Sequence, residues 1–135
     1  MKTYSEPRLQ SFHIAGVSHI SPTDAFEALN AGLADLVDVR EEIEITLASV
    51  DFEPLHIHPM SSILDSFHQL SKDRTLIILC AHGERSAKVV NLLRLQGYLS
   101  VANLDGGVEA WKNADLPMKG CGPEKCSACS CGCGE

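Results

Sequence analysis

Short apolar runs alternate along the chain with segments whose apolar residues recur at helical spacing. Residues 17–20, 34–39, 55–57, 75–79 and 101–104 are the runs, each of strand length and bounded by turn-forming residues. Ser21-Pro22 predicts an N-cap with proline at the first helical position, opening a helix through Leu29 that Asn30-Ala-Gly32 closes. Ser61 or Ser62 caps a second helix, with Ile63, Leu64, Phe67 and Leu70 as one buried stripe. A third runs from Ser86 to Gln96 and carries Val89, Val90, Leu92, Leu93 and Leu95; Val108 to Asn113 makes a short fourth. Such alternation predicts an α/β fold, a parallel sheet flanked by helices on both faces. Residues 1–16 fit less clearly, because Phe12-His-Ile14 reads equally well as an edge strand or as part of a docked arm.

Composition narrows the picture. The 135 residues suit one domain of ordinary size, and a 44% hydrophobic share is usual for a globular chain. A formal net charge of −7 argues against nucleic acid or an anionic membrane as partner. No apolar run approaches the length that crosses a bilayer, and the first eight residues lack the apolar core of a signal peptide. The expected location is therefore cytoplasmic, where six cysteines read as thiols, metal ligands or redox groups rather than a disulfide framework. The expected organisation is an N-terminal arm at 1–16, a domain at 17–117 and a Cys-rich tail at 118–135.

The candidate chemistry lies where the run 75–79 ends. Cys80 follows it directly, and Ala81-His-Gly-Glu-Arg-Ser86 leads into the next helix. A thiol between a buried strand's carboxyl end and a helix's amino end faces unpaired backbone N–H groups and the positive end of the helix dipole. That setting favours the thiolate, the nucleophilic form of cysteine. Arg85 adds a permanent positive charge, and Gly83 the backbone freedom a tight cradle needs. The competing reading is a buried structural cysteine at a strand end.

These residues carry a resemblance. Cys80-x-x-Gly83-x-Arg85-Ser86 resembles the active-site loop of rhodanese-like sulfurtransferases. Leu36-Val-Asp-Val-Arg40 is similar to that family's upstream strand motif, and Leu104-Asp-Gly-Gly-Val-Glu-Ala-Trp111 to its C-terminal signature, in the same order. The resemblance covers roughly residues 18–117. It implies a single-domain enzyme of the thiosulfate sulfurtransferase kind that needs no cofactor. Cys80 would take a sulfane sulfur from a small donor, thiosulfate or a persulfide, and pass it to a thiol or cyanide-like acceptor. Loop N–H groups of residues 81–86 would stabilise the anionic sulfur as an oxyanion hole stabilises oxygen. Phosphatases and arsenate reductases of the same fold place five residues between cysteine and arginine, whereas four separate Cys80 from Arg85. The shorter ring suits one added sulfur better than a tetrahedral oxyanion. A phosphatase or arsenate reductase, and a non-catalytic binding module with a metal-binding tail, stay as alternatives.

Around this loop, Ala81, His82, Gly83, Glu84 and Ser86 are candidate substrate- or loop-binding positions. Asp38 and Arg40 end a strand on the same edge. Asp38 reads mainly as an acceptor for backbone N–H groups, and Arg40 equally as an anion ligand or a carboxylate partner. Asp105 with Gly106-Gly107 reads as a turn and N-cap, and Trp111 as core with its indole N–H bonded. His82 is a candidate proton donor or a solvated side chain, and Glu84 opposes the attraction of anions. His56 and His58, one residue apart, face one side of a strand and form a weak candidate metal pair. Residues 47–56 lack the His-Ile-Pro-Gly-Ala-like stretch usual in the family, which leaves one pocket wall undefined.

The tail holds five cysteines between Cys121 and Cys133 and little that is apolar. Cys126-x-x-Cys129 has zinc-site spacing, and Cys131 and Cys133 complete a set of four thiols suited to zinc or copper(I). Three readings compete for this segment: a metal-binding appendix, thiols that accept sulfur from Cys80, and a flexible tail without a fixed role.

Overall fold

The computed structural model describes residues 2–119. Its elements begin with β1 (His19–Ile20), α1 (Pro22–Asn30), β2 (Ala34–Asp38), α2 (Glu42–Leu47), β3 (Ser49–Val50) and β4 (Leu55–Ile57). They continue with α3 (Ile63–Ser66), β5 (Thr75–Leu79), α4 (Glu84–Leu95), β6 (Val101–Leu104), α5 (Gly107–Asn113) and β7 (Met118–Lys119). Five strands form one sheet in the order β1-β6-β5-β2-β4, and every neighbouring pair is parallel.

The side-chain alternation of β5 explains why its whole run is apolar. Leu76 and Ile78 join one core with Val37, Val39, Val89, Val90 and Leu93. Ile77 and Leu79 point the other way, into a core with Ile20, Leu29, Leu36, Leu104 and Trp111. A strand covered on both faces has no polar side. The carboxyl ends of β5, β6, β2 and β1 therefore share one edge, where ligands of parallel sheets bind.

The predicted starts and stops hold with small shifts. Ser21 caps α1 by accepting the Asp24 N–H at 3.2 Å, with Pro22 at the first helical position. α4 begins two residues earlier than its apolar pattern, because Gly83 turns at φ 95° and accepts the first helical bond from Ala87. The helix predicted after Ser61 is only the four-residue α3 between two 3-10 turns. Ile63 and Leu70 are buried, but Leu64 is 71% exposed, since so short a helix offers the core one side chain per turn. Leu95 likewise faces outward at the end of α4.

Three elements escaped the apolar pattern. α2 buries none of its residues; its start is fixed by a capping box in which Glu41 and Glu44 exchange backbone and side-chain bonds. The pair β3–β7 is antiparallel, Ser49 against Lys119 and Val50 against Met118. Ordered chain thus continues past residue 117. At the other end residues 12–14 form no strand, and the arm's backbone meets the sheet in an isolated antiparallel bridge, Tyr4 with His19.

Candidate active site

Strand β5 ends on Cys80, and the loop that follows folds back over the sulfur. The Gly83 N–H donates to Cys80 Sγ at 3.1 Å and the Ser86 N–H at 3.3 Å, while Ser86 Oγ lies 3.3 Å away. Cys80 is 1% exposed. The loop is clamped from the far side, where the first turn of α5 donates N–H bonds from Val108 to the Cys80 carbonyl and from Glu109 to the Ala81 carbonyl. Two glycines make this approach feasible. Gly83 adopts φ 95°, and a Cβ on Gly107 (φ 68°) would stand 2.4 Å from the Cys80 carbonyl oxygen.

The charges beside the loop are paired. Arg85 forks onto Glu44 of α2, with bonds of 2.7 and 2.9 Å between side chains that are each about one-third exposed. That fork, aided by the Glu41 N–H and opposed by burial, holds the Glu44 carboxyl down at about 2, and Arg85 is raised correspondingly. The expected free cation on the loop is thus committed to a carboxylate 41 residues upstream. At the end of β2, Asp38 accepts from the Arg40 backbone N–H at 3.0 Å and from its guanidinium at 3.0–3.2 Å. Both are buried, so Arg40 takes the carboxylate-partner role and Asp38 accepts a backbone N–H as read.

Asp105 departs from its expected capping role. Gly106 occupies the N-cap of α5 without a side-chain cap bond, and Asp105 instead anchors the arm. Its carboxylate accepts from the Tyr4 hydroxyl at 2.7 Å and the backbone N–H groups of Arg8 and Leu9 at 2.8 and 3.1 Å. Burial, then the bond to Asp105, pushes the Tyr4 phenol well above its usual value. Past this anchor Gln10 reaches the Cys80 loop and donates to the Gly83 carbonyl at 3.1 Å. Gln10, Asn103 and His19 carry no motif, and only the folded chain brings them beside the loop. Trp111 is buried and donates its indole N–H to Pro117 at 2.8 Å, as expected.

A cleft of about 530 Å³ opens beside the loop on the same sheet edge. It is lined by Leu9, Gln10 and Phe12 of the arm, Glu109 and Asn113 of α5, and His82 and Glu84 of the loop and its helix. His82 and Glu84 therefore line the space beside the loop, while Ala81 is held through its carbonyl by the Glu109 N–H. His56 lies on β4 and His58 just past its end, near enough for each charge to act on the other. The strand ends at Ile57, and His58 turns to bond Ser66 Oγ at 3.0 Å; burial lowers its basicity. Among the described residues no group of three or more His, Cys, Asp or Glu is placed to hold a metal ion. Cys126, Cys129, Cys131 and Cys133, the expected zinc or copper(I) ligands, lie outside the described residues. Among those described, no helix is long and apolar enough to cross a membrane.

Comparison with known proteins agrees with this architecture. The rhodanese-like domain family matches residues 21–114. A sulfurtransferase of Allochromatium vinosum is 35% identical, over 68% of this chain and 89% of its own. The thiosulfate sulfurtransferase GlpE of Vibrio cholerae is 31% identical, over 75% of this chain and 93% of its own. A rhodanese-related protein of Thermoplasma volcanium superposes with a TM-score of 0.68 at 27% identity, covering 76% of this chain and 97% of the other.

Proposed function

Because the chain belongs to the rhodanese-like domain family, we propose that it is a sulfurtransferase whose Cys80 carries sulfur as a persulfide. The observation that carries this reading is the sulfur's setting: two loop N–H groups converge on Cys80 Sγ at the head of α4. With thiosulfate as donor, the Cys80 thiolate attacks the outer sulfur. The sulfur–sulfur bond of thiosulfate breaks, and sulfite leaves with its electron pair. An acceptor thiolate or cyanide then attacks the outer sulfur of the persulfide, and Cys80 leaves as thiolate. The Gly83 and Ser86 N–H groups meet negative charge on sulfur at both stages.

The cleft beside His82 and Glu84 has the room a small acceptor needs. The four-residue spacing from Cys80 to Arg85 favours a persulfide over a cysteinyl phosphate. Intact-mass measurement after incubation with thiosulfate tests the reading, because one retained sulfur atom identifies the chemistry. Wild type should gain it, and Cys80→Ser should neither gain it nor turn over, while keeping its circular dichroism. Turnover near wild type in Cys80→Ser would remove the proposal.

A further inference from the structure

The direction of every hydrogen bond between the arm and the sulfur is determined by backbone groups. Gly106 N–H donates to Gln10 Oε1 at 2.8 Å, so that oxygen is an acceptor. Gln10 Nε2 donates to the Phe12 and Gly83 carbonyls at 2.9 and 3.1 Å, which fixes the other end of the amide. The fully buried Asn103 must then turn its Nδ2 toward Gln10 Oε1, 3.1 Å away, and also toward His19 Nδ1 at 3.0 Å. Burial, opposed by Asp105 and aided by His13, lowers the basicity of His19, whose Nε2 faces His13 Nδ1 at 3.0 Å. Asn103 Oδ1 is left facing Ser86 Oγ in a short hydrogen bond. A carbonyl oxygen only accepts, so the single hydroxyl proton of Ser86 is committed to Asn103.

We propose that Gln10 and Asn103 are positioning residues for the nucleophile, which aim the Ser86 hydroxyl proton away from Cys80 and make Ser86 Oγ the acceptor of the thiol proton. The thiolate then rests on the Gly83 and Ser86 backbone N–H groups alone, unless Ser86 abandons Asn103 Oδ1 and leaves a buried acceptor empty. The arm thereby sets the balance between thiol and thiolate from a position that no active-site motif includes. The other charged or titratable groups about this centre are Arg85 paired to Glu44, Arg40 paired to Asp38, Asp105 and His13 acting on His19, and the exposed His82 and Glu84 on the loop. None of them bonds Ser86 or Asn103.

This inference rests on Cys80 being the nucleophile, but its readout is alkylation rather than sulfur transfer. The rate of iodoacetamide modification of Cys80 in the full chain is followed against pH by peptide mass mapping, which separates Cys80 from the tail cysteines. Ser86→Ala removes the acceptor of the thiol proton, so the midpoint of thiolate formation should fall by about half a pH unit. A midpoint that stays or rises overturns the proposal, because a hydroxyl donating to the thiolate would give a rise. Gln10→Ala, at a half-buried arm position, frees Asn103 to rotate and Ser86 to turn to sulfur, and should lower the midpoint similarly. That second shift should vanish when Ser86 is already Ala, since Gln10 acts only through the hydroxyl. A Gln10→Ala shift that is absent, or that persists undiminished in the double variant, also overturns the proposal. A protein that takes up no sulfur yet shows this cycle would lose the transferase reading and keep the proton arrangement.

Discussion

Arg85 shows how far one residue's role depends on a partner the local sequence does not contain. The loop motif marks it as a cation beside the thiol, yet its guanidinium is held by Glu44 of α2. The Glu44 carboxyl sits at about 2 in the fold against an ordinary 4.5, so the pair stabilises fully above about pH 4.5 and is lost as pH falls toward 2. With each side chain about one-third exposed, solvent screening limits that contribution to about 1 kcal/mol. Glu44→Gln should therefore cost about 1 kcal/mol at neutral pH and flatten the acid limb of the stability profile, read by denaturant unfolding across pH. The same change frees Arg85 for an anionic donor, and kcat/KM with thiosulfate should rise about threefold to tenfold. A fall in kcat/KM would mean that Glu44 serves to aim Arg85 rather than to occupy it. The loop that folds over the Cys80 sulfur was legible in the sequence because its residues, Cys80 to Ser86, are contiguous. Glu44, Gln10 and Asn103 were not, because each meets the loop only through contacts between distant parts of the chain.

Among the elements, α5 does more than fill the second core. Its first-turn N–H groups donate to the carbonyls of Cys80 and Ala81, so a helix 27 residues after Cys80 holds the loop in place. The closeness of that docking depends on Gly107, where a Cβ would press within 2.4–2.6 Å of both carbonyl oxygens. Gly107→Ala should destabilise the fold by roughly 2–4 kcal/mol, from left-handed strain plus the displaced loop. Thiol alkylation should quicken as the cradle opens. Unchanged melting and alkylation together would show that α5 does not hold the loop. The parallel strands were readable because each is apolar on both faces, and α4 because Gly83 and a clear apolar face mark it. α2 was not readable, because it buries no side chain and alternates Glu with apolar residues in a strand-like rhythm. The two-residue pair β3–β7 is too short to impose any period.

At the scale of the whole molecule, the arm and the domain are joined at Asp105, and that joint can be opened without touching the sheet. The hydrogen bonds recorded to its carboxylate come from Tyr4, Arg8 and Leu9, all in the arm. The raised Tyr4 phenol gives the docking a pH sense: its contribution is complete below about pH 10, the ordinary value, and fades as pH climbs through the higher folded one. Asp105→Ala should cost about 1–3 kcal/mol and release residues 2–16, with trypsin then cutting at Arg8 at least tenfold faster than in wild type. The core of β5, β6 and β2 should keep its slow amide exchange, since the strand bonds do not involve this carboxylate. Release also withdraws Gln10 from Gly83 and Asn103. The alkylation midpoint of Cys80 should consequently move in the same direction as in Gln10→Ala, from a substitution that contacts neither residue's side chain amide on the loop side. An arm that stays protected in Asp105→Ala would show that Gln10 and the Tyr4–His19 bridge suffice to hold it. An arm that is released while the midpoint stays put would show that the thiol does not sense the arm.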